Sequence, residues 1–257
     1  MTYLTGKRVL VTRAKGQNKA FSKKLIEVQA IPVEVPLLTF QLPNNINAIQ
    51  QEFSKLQSYT WTVFTSVNGV RYFFELLDRF QVAFPDTMKI AAVGIKTEQA
   101  LQEYGRKADL IPDEFVGESL AEHLMRVLTK QDAVFMPRGQ LARKKLYDEL
   151  VQFGVRVSDV TIYETVRNDA IKDTLNTMIQ LEQIDVITFT SPSTVRFFME
   201  LLEEQNRTYI KDAVVCSIGP ITTAACIRQQ LLVAIEATPY TIDGMIDAMQ
   251  QFFKRSE

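Results

Sequence analysis

Residues 61–77 read WTVFTSVNGVRYFFELL, and residues 186–202 read VITFTSPSTVRFFMELL. Each stretch opens on a short β-rich apolar run, crosses a Thr-Ser pair, and continues with apolar residues at helical spacing. In the first copy Val70, Phe73, Phe74 and Leu77 follow the i, i+3, i+4, i+7 pattern of a core-facing helix. The offset between the copies is 125 residues, and it also pairs Arg13 with Arg138, Gly94 with Gly219 and Thr97 with Thr222. A duplicated unit must bury its core twice, so the repeat predicts two similar lobes with a cleft between them. Positions where the copies disagree are then candidates for function.

The same alternation runs through the chain. Strands are expected at residues 8–12, 31–35, 61–65, 90–93, 133–136, 155–160, 186–190 and 214–218. Helical patterns fill 18–29, 46–56, 67–79, 96–103, 119–128, 141–153, 175–183, 193–204, 221–230 and 244–253. Strand–helix–strand order argues for parallel sheets covered on both faces, with right-handed crossovers. Two extended segments, 33–41 and its partner 158–166, fall outside the alternation. The first contains Pro36, which suits an edge strand or a connector. Together they predict a two-stranded hinge.

Length and composition narrow the class. A chain of 257 residues suggests two domains at about 100–200 residues each. Apolar residues make up 46 %, enough for real cores. A net charge of −1 argues against a general nucleic-acid binder. No apolar run approaches the roughly 20 residues that span a membrane, and the polar lead into Arg8 does not read as a signal peptide. The expectation is a cytoplasmic protein. Two cysteines, Cys216 and Cys226, and one histidine, His123, cannot assemble a zinc site of the usual Cys/His type. Both thiols read as buried packing, and His123 sits among leucines on a helical stretch.

The residues that could carry chemistry come in pairs. Ser66 and Ser191 each close a strand and open a helix, and Thr97 and Thr222 follow Gly94 and Gly219 at the same kind of turn. In parallel α/β sheets these turns gather at the carboxyl edge, where ligands bind. Free N–H groups and the helix dipole favour an anion there. Plain N-capping would explain any one of them; four at matched positions point to a polyanion-binding cleft. Arg13 and Arg138 end strands in the same register, and arginine suits carboxylate or phosphate. For these two, substrate contact and structural service stand level. Lys23, Lys24, Lys144 and Lys145 read more simply as solvated helix faces. Gly94 and Gly139 read as tight turns at strand ends. The P-loop, dinucleotide and nucleophile-elbow signatures are absent from the sequence.

Tyr163 stands where the other copy has Leu38, so the duplicated scaffold does not demand a tyrosine. A phenol can donate a proton or hydrogen bond, and its ordinary pKa of about 10 keeps it protonated at neutral pH. From spacing alone, an aromatic filling the hinge is the simpler reading.

Taken together, VLVTRA (9–14), VFTSVNGV (63–70), AVGIKTEQAL (92–101), MPRG (136–139), GVRVSDVTIYETV (154–166), FTSPSTVRFF (189–198) and SIGPITTAA (217–225) resemble the uroporphyrinogen-III synthase family over nearly the whole chain. The resemblance implies an α/β fold with two flavodoxin-like parallel-sheet lobes joined by a two-stranded β hinge. One lobe takes 1–35 and 167–257, the other 42–157, with hinge strands 36–41 and 158–166. It implies cyclisation of the linear tetrapyrrole hydroxymethylbilane to uroporphyrinogen III. Water is lost and ring D inverts, through an azafulvene and a spirocyclic pyrrolenine. No cofactor or metal is implied. Tyr163 matches the tyrosine that assists departure of the substrate hydroxyl. Ser66, Thr97, Ser191 and Thr222 match carboxylate-holding positions, with Arg13 and Arg138 as supporting cations. Val67-Asn68-Gly69 departs from Pro192-Ser193-Thr194 of the other copy, which leaves the Ser66 contact open. The partner is a polycarboxylate small molecule, with neither nucleic acid nor membrane. A monomer is expected, with room for a transient contact with the preceding pathway enzyme. The alternative from another class is a non-catalytic, two-lobed binding protein for an anionic metabolite, which would not require Tyr163. A flavin or phosphoacceptor protein of flavodoxin type lacks a phosphate loop and an acidic strand end.

Overall fold

Val186–Phe189 and Trp61–Phe64 are buried at every position, as strands covered on both faces must be. In the computed structural model, which describes residues 2–181 and 184–255, they are interior strands of two separate five-stranded sheets. The chain divides into two compact units. Unit 1 is Met1–Thr39 with Val166–Glu257, and unit 2 is Phe40–Thr165.

Unit 1 contains β1 (Arg8–Val11), α1 (Asn18–Glu27) and β2 (Ile31–Glu34) from the start of the chain. From its end come α7 (Lys172–Leu181), β8 (Val186–Phe189), α8 (Pro192–Leu201), β9 (Val214–Ser217), α9 (Pro220–Arg228), β10 (Val233–Glu236) and α10 (Ile242–Lys254). The strand order is β10-β9-β8-β1-β2, parallel throughout. Counted within the unit this is 2-1-3-4-5, the flavodoxin-like order. Val9, Val11, Val186, Cys216 and Ile235 face Phe21 and Leu25 of α1 and Met245 and Met249 of α10 in one core.

Unit 2 repeats the construction in another chain order. It holds α2 (Ile46–Phe53), β4 (Trp61–Phe64), α3 (Val67–Phe80), β5 (Lys89–Ala92), α4 (Ile95–Gln102), α5 (Gly117–Val127), β6 (Ala133–Gly139), α6 (Lys145–Phe153) and most of β7 (Arg156–Arg167). Its sheet runs β3-β7-β6-β4-β5, where β3 is Leu38–Gln41. Thus β7-β6-β4-β5 stands for β2-β1-β8-β9, and a lone parallel bridge from Ala91 to Leu110 marks where β10 has its counterpart. Side chains alternate across this sheet with period two. Phe64 and Phe135 enter a core with Phe53 and Phe73; Trp61, Val63, Val134 and Met136 enter another with Leu120, Leu124, Leu146 and Leu150.

The chain passes from one unit to the other within β3 and returns at the end of β7. The strand expected at 155–160 and the extended segment 158–166 are one continuous twelve-residue strand, β7. Helix α6 begins at Lys145 rather than at 141, because residues 140–144 form a turn followed by irregular loop and Leu141 is exposed. Strand β10 was not expected. The helix expected at 175–183 is α7, and its last two residues, Glu182 and Gln183, lie outside the described residues. Among the described residues no helix is long and apolar enough to cross a membrane.

Candidate active site

Unit 2 has a cavity of about 540 Å³ at the carboxyl ends of β4, β5 and β6. That volume lies within the range of roughly 300–1,000 Å³ seen for small-ligand sites. Thr65 and Ser66 form one wall, Gly139, Tyr163 and Thr165 another; Val93 and Phe115–Glu118 close it with Arg143 and Lys145. The two cations and Glu118 leave the rim net positive. Lys145 reaches Glu118 at 3.3 Å.

Ser66 has extended backbone (φ −162°, ψ 154°), the geometry of a residue that turns a strand into a helix. Its Oγ accepts the Gly69 N–H at 2.9 Å, so the Val67-Asn68-Gly69 turn still makes the expected cap. The same oxygen lies 3.1 Å from the Tyr163 hydroxyl. Tyr163 is 8 % exposed, and burial pushes its phenol pKa above the ordinary value, opposed in part by the bond to Ser66. At neutral pH the phenol is therefore a proton holder and a donor. With Ser66 Oγ already accepting from Gly69, the serine proton can go to the tyrosine oxygen. The tyrosine proton is then free for a ligand.

Gly139 is not a tight turn. It ends β6, in register with Tyr163, and a Cβ there would stand 2.5 Å from Tyr163 Cζ and 2.7 Å from its hydroxyl. Gly94 has extended backbone and opens α4; a Cβ there would meet Phe115 at 3.0 Å. Both glycines make room for a ring. Two further aromatics contact Tyr163: Tyr72 stacks on it at 5.2 Å between centroids, 17° from parallel, and Phe40 meets it edge-on at 5.7 Å. Sequence reasoning missed Gly139, Tyr72 and Phe40 as parts of the site.

The paired arginines differ. Arg138 is 7 % exposed and gives Nε and Nη2 to the two oxygens of Asp159, the latter at 2.6 Å. Its Nη1 goes to the carbonyls of Gly139 and Ala142. These contacts engage its guanidinium within the fold, where it ties β6 to β7 and to the loop that walls the cavity. In unit 1, Arg13 donates only to Gln17 Oε1 at 3.4 Å, and its buried Nε finds no partner among the described residues. Burial without a counter-ion lowers its pKa.

Ser191 caps α8 as Ser66 caps α3, accepting from Thr194 N–H at 3.4 Å and bonding Ser193 Oγ at 2.9 Å. Thr97 and Thr222 occupy the third residues of α4 and α9, where each N–H reaches back to Gly94 O or Gly219 O at 3.0 Å. Both residues are buried, 4 % and 3 % exposed, and their backbones shape the turns. Unit 2 thus brings Ser66 and Tyr163 into one cavity. Arg13, Ser191 and the Gly219–Thr222 turn follow adjacent strands β1, β8 and β9 along the carboxyl edge of the unit 1 sheet. His123 contacts Ser119 O at 2.8 Å and Asp113 at 3.4 Å. The described residues hold no cluster of acidic, histidine and cysteine side chains able to bind a metal.

Two flavodoxin-like parallel sheets, with capped helix starts and a tyrosine in a cation-rimmed cavity, define a class of duplicated α/β proteins with a candidate ligand site at the carboxyl edge of a sheet. The comparisons give the family. The family model for uroporphyrinogen-III synthase HemD matches residues 19–247. A uroporphyrinogen-III synthase of Synechococcus elongatus is 33 % identical over 98 % of both chains. One from Chlorobaculum parvum is 26 % identical over 93 % of this chain and 95 % of its own. The crystal structure of uroporphyrinogen-III synthetase from Helicobacter pylori superposes with a TM-score of 0.63 at 17 % identity, covering 96 % of this chain and all of the other. A uroporphyrinogen III synthase from Thermus thermophilus gives 0.59 at 15 %, covering 98 % and all of the other; both speak for the fold alone. The chain belongs to the uroporphyrinogen-III synthase family, the cyclising lyases of tetrapyrrole biosynthesis. A non-catalytic binding protein is not favoured.

Proposed function

We propose that the protein closes hydroxymethylbilane to uroporphyrinogen III with Tyr163 as the donor to the departing hydroxyl. The observation that carries this reading is the Tyr163 phenol, buried, protonated and bonded to Ser66 at the wall of the unit 2 cavity. Loss of the hydroxyl needs two things: electron push from the pyrrole nitrogen and a proton, or a strong hydrogen bond, on the leaving oxygen. The substrate supplies the push and forms an azafulvene. Tyr163 supplies the hydrogen bond, because burial disfavours its phenolate and keeps its proton in place. Ring closure at the substituted carbon of ring D then gives the spirocyclic pyrrolenine whose rearrangement inverts the ring.

Binding in this reading is by local positive potential rather than net charge. Arg143 and Lys145 at the cavity rim, and the first-turn amides beyond Ser66, take carboxylates of the reacting end. Arg13 and the amides beyond Ser191 and Gly219 take others. The open chain also closes unaided to isomer I, without inversion. Holding the substrate in the productive pose is therefore much of the catalysis.

Freshly prepared hydroxymethylbilane, incubated with the purified protein without added metal, should give isomer III on chromatography of the oxidised products. Isomer I alone would end this reading. We extend the reading to a monomer that works in the cytoplasm; sedimentation equilibrium at working concentration checks the first part.

A further inference from the structure

We infer that Tyr72 and Gly139 are positioning residues that aim the Tyr163 hydroxyl, an inference that rests on the reading of Tyr163 above. A phenol attached to a strand has two torsions to settle, and a donor misplaced by about 1 Å can cost 100-fold in rate. Three contacts settle them here. Tyr72 lies flat against the ring, Phe40 holds it edge-on, and the bare backbone of Gly139 lets the hydroxyl end come closer than any side chain allows. Helix α3 carries Tyr72, which stacks on the ring, and its N-cap is Ser66, which bonds the hydroxyl. One rigid element therefore sets both the orientation and the hydrogen bond.

The duplication gives an independent argument. At the equivalent positions of the other copy, 125 residues away, Tyr163 is Leu38, Gly139 is Ala14, Phe40 is Thr165 and Tyr72 is Phe197. The scaffold residues beside them match: Ser66 with Ser191, Phe73 with Phe198, Arg138 with Arg13. Where the tyrosine is absent, the glycine is absent too. The four differences form one contact group around one hydroxyl.

The test is a kinetic series on the full chain with hydroxymethylbilane as substrate. Tyr72→Leu should lower kcat about tenfold while KM stays within about twofold, because the substrate-binding groups are untouched. Tyr72→Phe, which keeps the stack, should recover most of that kcat. Gly139→Ala should also lower kcat about tenfold, yet cause no further loss in a Tyr163→Phe background, where no hydroxyl is left to aim. Near-ultraviolet circular dichroism checks that each variant is folded; if Tyr72→Leu fails that check, the Gly139 and Tyr163 cycle decides. Tyr72→Leu with the parent kcat, or Gly139 and Tyr163 losses that multiply, would overturn the positioning role and leave Tyr163 standing. A Tyr163→Phe variant with the parent kcat would remove Tyr163 from the reaction and this inference with it.

Discussion

Asp159 takes two guanidinium nitrogens of Arg138 across neighbouring strands β6 and β7. Glu34, which holds the equivalent place in the other copy, accepts from the Ser22 hydroxyl instead, and Arg13 is left with a 3.4 Å contact to Gln17. One ancestral position has thus become a strand tie in unit 2 and a cation with spare donors in unit 1. Removing one partner of a buried pair strands the other charge, at about 3–5 kcal/mol. Arg138→Ala should therefore lower unfolding stability by that order in urea titrations, Asp159→Ala should do the same, and the double variant should lose less than the sum.

Arg13 should behave in the opposite way. Its guanidinium anchors little within the fold, so Arg13→Ala should leave the unfolding free energy within about 0.5 kcal/mol of the parent. A charge-assisted bond to a substrate carboxylate is worth roughly 1.5–3 kcal/mol, so KM for hydroxymethylbilane should rise about tenfold or more. Steady-state kinetics beside a melting curve separates the two. Unchanged KM would take Arg13 out of substrate binding.

Much of this was legible in the sequence, for physical reasons. Parallel strands covered on both faces write themselves as short apolar runs, and Trp61–Phe64 and Val186–Phe189 are of that kind. Ser66 and Ser191 were legible because a serine between such a run and a helical pattern has few other tasks. Strand β10 was not, because only Ile235 of its four residues is buried and an edge strand leaves a weak signal. Leu141 extended the expected α6 too early, since an exposed leucine counts as apolar in a pattern but packs nothing. The Arg138 tie was hidden because its partner lies across a strand pair, though the Glu34/Asp159 match carried a trace of it. Gly139 was misread because a glycine at a strand end usually means a turn. Its partner in the repeat, Ala14, was the clue that space for Tyr163, not backbone freedom, was the demand.

The same steric demand should appear in stability. Gly139→Ala puts a methyl group where the Tyr163 ring stands, so the melting temperature should fall by several degrees. Adding Tyr163→Leu restores the Ala-and-Leu combination of the other copy and should return most of the loss, measured by differential scanning calorimetry. Equal melting temperatures for Gly139→Ala and the parent would show that the ring moves aside at no cost.

Burial also makes the thiols inert. Cys216 in β9 and Cys226 in α9 are both buried, and burial pushes each thiol up to about 12. Thiolate is the reactive form, so neither cysteine should react with a disulfide reagent at pH 8 on the timescale of minutes. Both should react once urea unfolds the chain. Prompt labelling of one thiol in the native protein would contradict the burial of that unit 1 core.

Tyr163 should reveal itself in its dependence on pH. Its folded pKa lies above the ordinary phenol value, so its contribution to stability is fully present below about pH 10 and is lost as pH rises through the folded pKa. On the proposed role of Tyr163, kcat should hold level through neutral and mildly alkaline pH, and its phenol-dependent fall should begin only above the ordinary phenol range. Tyr163→Phe should lower kcat at neutral pH about 10–100-fold and abolish that alkaline fall. Ser66→Ala should cost about 1 kcal/mol of stability as a lost cap and slow turnover less than Tyr163→Phe, because the phenol keeps its proton without the serine. A pH profile of kcat for the three proteins on hydroxymethylbilane decides the order. If Ser66→Ala is the slower variant, the proton reaches the leaving oxygen through the serine and Tyr163 only holds that hydroxyl in line.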